Sequence, residues 1–219
     1  MTILAVYLAA LAIAAGWWMS RQQLTAKPWL EQGMLGEAVP MAGRSSRKIG
    51  LGIFFAVVGS LFALSITAYF MRRDMADWTS LPKPMLLWIN TDVLFVSSIA
   101  LYWAQVGARR GDLDQARLGI LAGGLSALVF VAGQVVAWRQ LAEAGYGLAG
   151  NPANTFFYLL TGLHGLHLLG GLVALSRTGI AAWSGRNAER VRQSVELCAM
   201  YWHFLLLVWL ILFGVFMLT

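Results

Sequence analysis

The feature that most constrains this chain is a series of long apolar runs with almost no charged residues. Six such runs occupy positions 2–19, 51–71, 85–106, 118–138, 155–175 and 195–218. About 20 apolar residues in a helix cross the hydrocarbon core of a bilayer, and the runs lack the alternation of barrel strands. The sequence therefore predicts an all-α, polytopic transmembrane helix bundle with six spans. We interpret the first run as a retained span and not as a signal peptide, because no basic residue precedes it.

The composition excludes several other classes of protein. Only 12% of the 219 residues are charged and 59% are hydrophobic, whereas soluble domains have about 25% charged residues. A water-soluble enzyme, a disordered chain and a collagen-like chain are therefore excluded. The single cysteine, Cys198, excludes an internal disulfide and a cysteine-cluster metal site.

The basic residues are distributed unevenly among the segments between the runs. Most of the 16 Lys and Arg residues follow the first, third and fifth runs, and neither end of the chain has any. Because basic residues favour the cytoplasmic side, the sequence predicts that these segments are cytoplasmic and that both termini lie on the outer side. The net charge of +6 is then explained by topology, and no nucleic-acid partner is expected.

Polar side chains within the runs are candidates for function, because such groups are costly in lipid. They are Asn90, Thr91, Asp92, Gln134, His164, His167, Glu196 and His203. His164 and His167 are three residues apart and share a helix face, but three histidines are too few for a multi-haem cytochrome b. We expect each histidine to hydrogen-bond a neighbouring helix; a single metal site formed by all three is the alternative.

The two acidic candidates allow different interpretations. Asp92 is either a proton-handling carboxylate or a structural acid that pairs with Asn90, Gln134 or another subunit. The structural interpretation is favoured because no second acid lies near it within the membrane. Glu196 stands at the cytoplasmic mouth of the last run, near the basic segment 186–192, where an interfacial salt bridge is expected.

No familiar catalytic pattern is present in the sequence. It has no phosphate-binding loop, no HExxH motif and no recognisable pair of nucleophile and base. These observations argue against an autonomous enzyme. They leave a transporter, an assembly factor or a subunit of a larger complex.

Three segments carry a resemblance to a known family. They are an Asn-Thr pair at 90–91 followed by Ser-Ser at 97–98, a Gly-Leu-His-Gly-Leu-His motif at 162–167, and Glu196 followed by Tyr-Trp-His-Phe at 201–204. In this order they resemble subunit III of the haem–copper oxidases, the cytochrome c oxidase and quinol oxidase group. The resemblance covers residues 48–219. It divides the chain into 1–49, an extra transmembrane helix with a cytoplasmic connector, and 50–219, a bundle similar to the family's common five helices.

The resemblance implies a non-catalytic subunit in a bacterial cytoplasmic membrane. Such a subunit binds no haem or copper and packs with subunits I and II, of which subunit I reduces oxygen to water and pumps protons. Subunit III also holds phospholipid, and Arg109, Arg110 and Arg177 are candidates to bind lipid phosphates. The implied family-motif residues are Asn90, Thr91, Gln134, His164, His167, Glu196, Trp202 and His203.

The chain departs from the family at four positions. The family's membrane-embedded Ser-Glu pair falls at Val57 and Val58, and its acid in the last helix falls at Leu206. Conversely, Asp92 is an acid where the family usually has none. The chain is therefore a divergent member, and the role of the family's glutamate in proton delivery is not transferred to it.

Two alternatives follow from these departures. One is a subunit III-like accessory protein of a nitric oxide reductase, which the sequence barely distinguishes from an oxidase subunit. The other is a small transporter or proton channel that uses Asp92 and the histidines. The second alternative lacks support from inverted repeats or broken helices.

Overall fold

The fold of the described part of the chain is entirely helical. The structure, a computed structural model, describes residues 46–82, 85–148, 150–185 and 188–218, and these contain no strand. Five helices occur: α1 Ser46–Arg73, α2 Leu86–Arg110, α3 Leu113–Glu143, α4 Pro152–Trp183 and α5 Ala188–Leu218. Each is long and apolar enough to cross a membrane. The all-α transmembrane prediction is confirmed for these five spans, while the predicted span at 2–19 lies outside the described residues.

Each helix extends beyond the apolar run that predicted it, because the helix continues from the hydrocarbon core into the polar boundary. The residues around the helix ends explain several of the bounds. Gly111 ends α2 with a φ of 80°, a conformation that glycine adopts without steric penalty. Asp112 then caps α3, since its side chain accepts a hydrogen bond from the Gln115 backbone N–H at 2.9 Å. Asn151 caps α4 in the same way, and Pro152 occupies its first turn.

The helices form a closed group of four with a fifth on the outside. Helix α2 packs against α3 and α5, and α4 packs against the same two helices. Helix α1 packs against α4 and α5 only from outside this group. Its opposite side exposes large apolar residues such as Ile53, Val57 and Leu64, as expected for a surface that meets lipid or another apolar element.

Helices α2 and α3 approach each other closely because α3 lacks side chains at the crossing. A Cβ added to Gly119 would lie 2.6 Å from the Ala104 Cβ and 2.8 Å from the Ala100 backbone oxygen. A Cβ on Gly123 would lie 2.7 Å from the Leu101 side chain. Small residues permit such contact between membrane helices, so these glycines set the distance between α2 and α3.

The two ends of the bundle differ in charge. The start of α1, the end of α2 and the start of α5 meet at one end, where Lys48 and Arg109 both contact Glu196. Basic residues at this end are Arg47, Lys48, Arg109, Arg110, Arg117, Arg177, Arg190 and Arg192. At the other end, the described basic residues are Arg72, Arg73 and Arg139. The described part of the chain therefore has one strongly basic end.

The weakly basic end is closed by the loop after α1. Trp78 packs edge-on against Tyr69, with ring centroids 4.9 Å apart. The Arg72 guanidinium donates two hydrogen bonds to the Asp77 carboxylate, which holds the pKa of Asp77 below its usual value. This ion pair is therefore present above the lowered pKa and is lost as the pH falls through it.

Candidate functional site

Buried polar side chains link three helices near the middle of the bundle. The Trp202 indole N–H of α5 donates to the Ser97 hydroxyl of α2 at 2.8 Å. That hydroxyl in turn donates to the Gly123 backbone oxygen of α3 at 2.7 Å. Trp202 and Ser97 are almost completely buried. The two hydrogen bonds therefore connect α5 to α3 through α2, and they provide these buried polar groups with partners away from water.

A second tie lies farther along the same helices. The Trp209 indole N–H donates to the Thr91 hydroxyl at 2.9 Å, and this hydroxyl donates to the Leu87 backbone oxygen at 2.8 Å. Trp209 is fully buried. Two tryptophans of α5 thus meet two hydroxyls of α2, an arrangement that fixes both the separation and the rotation of these helices.

Asn90 and Gln134 form the third tie. The Asn90 side-chain amide donates to the Gln134 side-chain oxygen at 3.3 Å, between α2 and α3. Both residues are buried, and the Gln134 amide nitrogen has no partner in the described part of the chain. Asn90 and Gln134 therefore bond each other and are not partners of Asp92.

The three histidines have different surroundings. His203 matches the expected role, because its Nδ1 lies 2.6 Å from the Ser98 hydroxyl of α2. His167 instead contacts the backbone oxygen of Leu163 in its own helix at 2.7 Å, with its ring 5.6 Å from that of Phe62 in α1. The expected bond from a histidine ring to a neighbouring helix is thus found for His203 but not for His167.

His164 is the most enclosed of the three. It is 0% exposed, and neither ring nitrogen has a hydrogen-bond partner among the described residues. Its ring lies 5.2 Å from Trp209 and 5.8 Å from Phe130, measured between centroids. The expected hydrogen bond to a neighbouring helix is therefore wrong for His164 within the described chain, and aromatic packing holds the ring in place.

The alternative of a metal site formed by the three histidines gains no support. Within residues 46–82, 85–148, 150–185 and 188–218, no group of three His, Cys, Asp or Glu side chains could hold a metal ion. His164 lies in the core while His203 is exposed at the surface. Because the rings have separate surroundings, the geometry favours packing and hydrogen bonding over metal ligation.

Glu196 joins three helices at the basic end. Its carboxylate lies 3.1 Å from the Lys48 ammonium of α1 and 3.0 Å from the Arg109 guanidinium of α2. The Glu196 side chain is 12% exposed, whereas Lys48 and Arg109 are 44% and 55% exposed. A salt bridge was expected here near the segment 186–192; among the described residues its ion-pair partners are Lys48 of α1 and Arg109 of α2, because packing brings distant helix ends together.

Replacing Glu196 with glutamine is expected to weaken this three-helix contact. The change leaves Lys48 and Arg109 close together without a compensating charge. Because a partly exposed salt bridge contributes about 1 kcal/mol to stability, the free energy of unfolding should fall by that amount. The loss in the free energy of unfolding should shrink at high salt, which screens such charges. Asp114→Asn is the matched control, since the Asp114 side chain is 85% exposed in its pair with Arg117. Equal effects of both changes would contradict the assignment.

Asp92 stands apart from the buried ties. It is exposed on the outward side of α2, and no hydrogen bond or ion pair reaches its side chain from the described residues. The expected pairing of Asp92 with Asn90 or Gln134 is therefore wrong. Pairing with another subunit and the proton-handling interpretation both stay open.

The candidate lipid-binding arginines all lie at the basic end, although one of them is already engaged. Arg109 contacts Glu196, while Arg110 and Arg177 are exposed. From the sequence, Lys48 and Arg117 were predicted only to be determinants of topology. Arg117 of α3 donates twice to the Ala182 backbone oxygen near the end of α4, at 3.1 and 2.9 Å. The sequence signal for this contact was the position of Arg117 at a predicted helix end, because basic side chains can donate hydrogen bonds to the last carbonyl groups of a helix.

These features define a class of protein: a multi-pass helical membrane protein whose buried polar groups join helices. Comparison with known proteins makes the assignment specific, because the family model of cytochrome c oxidase subunit III matches residues 48–218. The chain belongs to the cytochrome c oxidase subunit III family. The resemblance found in the three sequence motifs is confirmed, and membership implies membrane partners among the oxidase subunits.

Individual relatives extend over most of the chain. The probable cytochrome c oxidase subunit 3 of Mycobacterium tuberculosis is 34% identical over 172 residues, which cover 74% of this chain and 79% of that protein. The cytochrome c oxidase subunit 3 of Thermostichus vulcanus is 31% identical over 176 residues, covering 76% and 84%. A probable subunit 3 from Mycobacterium leprae is 30% identical over 196 residues, covering 84% and 95%.

Proposed function

We propose that this chain is a non-catalytic subunit of a respiratory haem–copper oxidase that reduces oxygen to water and translocates protons. In this proposal it packs on subunit I, with subunit II in the same complex. The observation that supports it most strongly is the family match over residues 48–218. The geometry agrees with a structural role, because Trp202, Trp209 and Ser97 bond partners within the bundle.

The proposal includes an orientation in a bacterial cytoplasmic membrane. We assign the end with Lys48, Arg109 and Arg177 to the cytoplasm, because basic residues favour that side. With a sixth span at 2–19, both termini would lie on the outer side. The variants Tyr146→Cys and Arg110→Cys test this orientation with a thiol reagent that does not cross the membrane. Labelling of Tyr146→Cys but not of Arg110→Cys from the outer face would support it, and the reverse pattern would contradict it.

We further propose that haem and copper are held by partner subunits and not by this chain. The histidine surroundings support this view, since His164 is packed between Phe130 and Trp209. The position of the family's glutamate is occupied by Val58, which is 3% exposed. This chain would therefore supply no carboxylate to proton uptake at that position.

Phospholipid binding at the basic end is also part of the proposal. Arg110 and Arg177 are exposed at this end, where lipid phosphates would lie near them. Arg109 would contribute less, because Glu196 already neutralises it. Retention of anionic lipid by the purified complex should fall in the double variant with Arg110→Gln and Arg177→Gln, and unchanged retention would contradict this assignment.

Purification of the complex from native membranes tests the proposed function. A tag on this chain is expected to recover a haem-containing membrane partner, and the recovered particle should consume oxygen. Oxygen and nitric oxide should be supplied to the same particle, because the gas it reduces distinguishes an oxidase from a nitric oxide reductase. Isolation of the chain as a stable protein without a haem-containing partner would contradict the proposal.

A further inference from the structure

One side of the bundle carries polar and aromatic residues that no described part of the chain covers. This side, the α2–α5 face, consists of Trp88, Asp92, Ile99 and Tyr102 of α2 with His203 and Leu207 of α5, all of them exposed. The two helices are adjacent here, since Ser98 contacts His203 and the rings of Tyr102 and His203 lie 6.5 Å apart. The α2 members are four, seven and three residues apart, which places them on one face of a helix.

Asp92 is the member that most needs a partner. It lies six residues after the first residue of α2, about 9 Å along the helix axis at the rise of an α-helix. The 25 residues of α2 are only a few more than the roughly 20 that cross the hydrocarbon core. Because only a few residues of α2 lie outside the core at each end, Asp92 lies just inside the apolar layer. A carboxylate on the outward side of a membrane helix is rare and is normally paired. No cation among the described residues pairs with it.

His203 adds a second polar group to the same face. Its Nδ1 is engaged with Ser98, which leaves Nε2 as the nitrogen directed away from that bond. His203 lies seven residues after Glu196 in α5, at the level of Ser98 near the middle of α2, and therefore within the hydrocarbon layer. Lipid tails offer no hydrogen bond to Asp92 or His203, so their cover has to come from polar groups on protein.

The surrounding residues are typical of a protein interface. Trp88 and Tyr102 are 53% and 57% exposed, and aromatic residues are enriched where proteins bind each other. Ile99 and Leu207, at 65% and 55% exposed, supply apolar contact between the polar positions. Membership of the oxidase family means that other membrane subunits are present to cover this surface.

We infer that the α2–α5 face docks a transmembrane helix of another oxidase subunit, which presents a lysine or arginine to Asp92. This inference rests on the proposed function and specifies which surface and which charge form the contact. Asp92 sets the chemistry of the partner, since a carboxylate at this depth is stabilised by an opposite charge. The neighbouring aromatic residues then supply the packing around that ion pair.

Cross-linking in the intact oxidase locates the partner directly. A photoreactive phenylalanine analogue replaces Ile99, and the same analogue replaces Leu128, which is 51% exposed on α3, as the matched control. The Ile99 probe is expected to cross-link another oxidase subunit, and to do so more efficiently than the Leu128 probe. The inference is overturned if the Ile99 probe captures only lipid, residues 1–45 of the same chain or a second copy of this chain.

Substitution of Asp92 tests the charge. Asp92→Lys is expected to lower the recovery, with this chain, of the subunit that the Ile99 probe captures at least tenfold, and the isosteric Asp92→Asn should lower it less. Lys83→Gln is the control for pairing within the chain and should leave recovery unchanged. Recovery equal to the unmodified protein with Asp92→Lys would overturn the inference alone. Absence of a haem-containing partner from the unmodified protein would instead overturn the proposed function.

Discussion

Replacing Gly119 with alanine is expected to destabilise the bundle by about 2 kcal/mol, within the range for an overpacked core. The added Cβ would lie 2.6 Å from the Ala104 Cβ and 2.8 Å from the Ala100 backbone oxygen, far inside the contact distance of about 3.5–4.0 Å. Backbone atoms cannot move aside as a side chain does. Helices α2 and α3 therefore have to separate, which also strains the Ser97–Gly123 hydrogen bond.

Gly124→Ala, one position from Gly123 on the same helix, is the matched control for this prediction. Its Cβ would meet only Leu175 at an ordinary 3.5 Å, so alanine's better helix propensity of about 1 kcal/mol should leave stability equal or higher. Unfolding of both variants by SDS in mixed micelles measures the difference. A loss at Gly124 as large as that at Gly119 would contradict the close approach of α2 and α3.

Replacing Trp209 with alanine is expected to cost about 3 kcal/mol or more, the value for removing a buried aromatic ring. Trp209 is fully buried, and its ring contacts both Phe130 and His164. The change removes these contacts, leaves a cavity and deletes the hydrogen bond to Thr91. Thermal unfolding of the purified complex, with the unmodified chain and with the Trp209→Ala chain, measures the loss of stability.

Two variants separate the contributions to this effect. Trp209→Phe keeps an aromatic ring but loses the indole N–H, so it should cost about 1 kcal/mol, the usual net value of one hydrogen bond. Trp183 is 49% exposed on α4, and Trp183→Ala should cost less than about 1 kcal/mol because exposed side chains lose little packing. If Trp183→Ala were as damaging as Trp209→Ala, burial would not explain the result.

The sequence predicted the helices well because their signal is local. Apolar length identified the five described spans, and turn chemistry at Gly111, Asp112 and Asn151 accounts for the helix ends that apolar length alone misplaced. Such features depend on neighbouring residues along the chain.

The partners of the polar residues were harder to predict because they depend on how helices rotate and cross. Asn90, Gln134 and Glu196 were recognised as candidates, yet the sequence did not specify that Asn90 bonds Gln134 or that Glu196 contacts Lys48. The same limit explains why His164 was given a hydrogen bond that the described chain does not provide. Partner choice is a property of packing, which acts across distant parts of the sequence.

The metal content of this chain, measured apart from its partners, decides whether the chain itself holds haem or copper. The complex should be purified, its subunits separated under mild conditions, and each analysed for haem, iron and copper. We expect haem and copper to remain with the partner subunits, while this chain retains its helical content and no metal. Iron or copper bound to the separated chain, and lost on replacement of His164, His167 or His203, would contradict it.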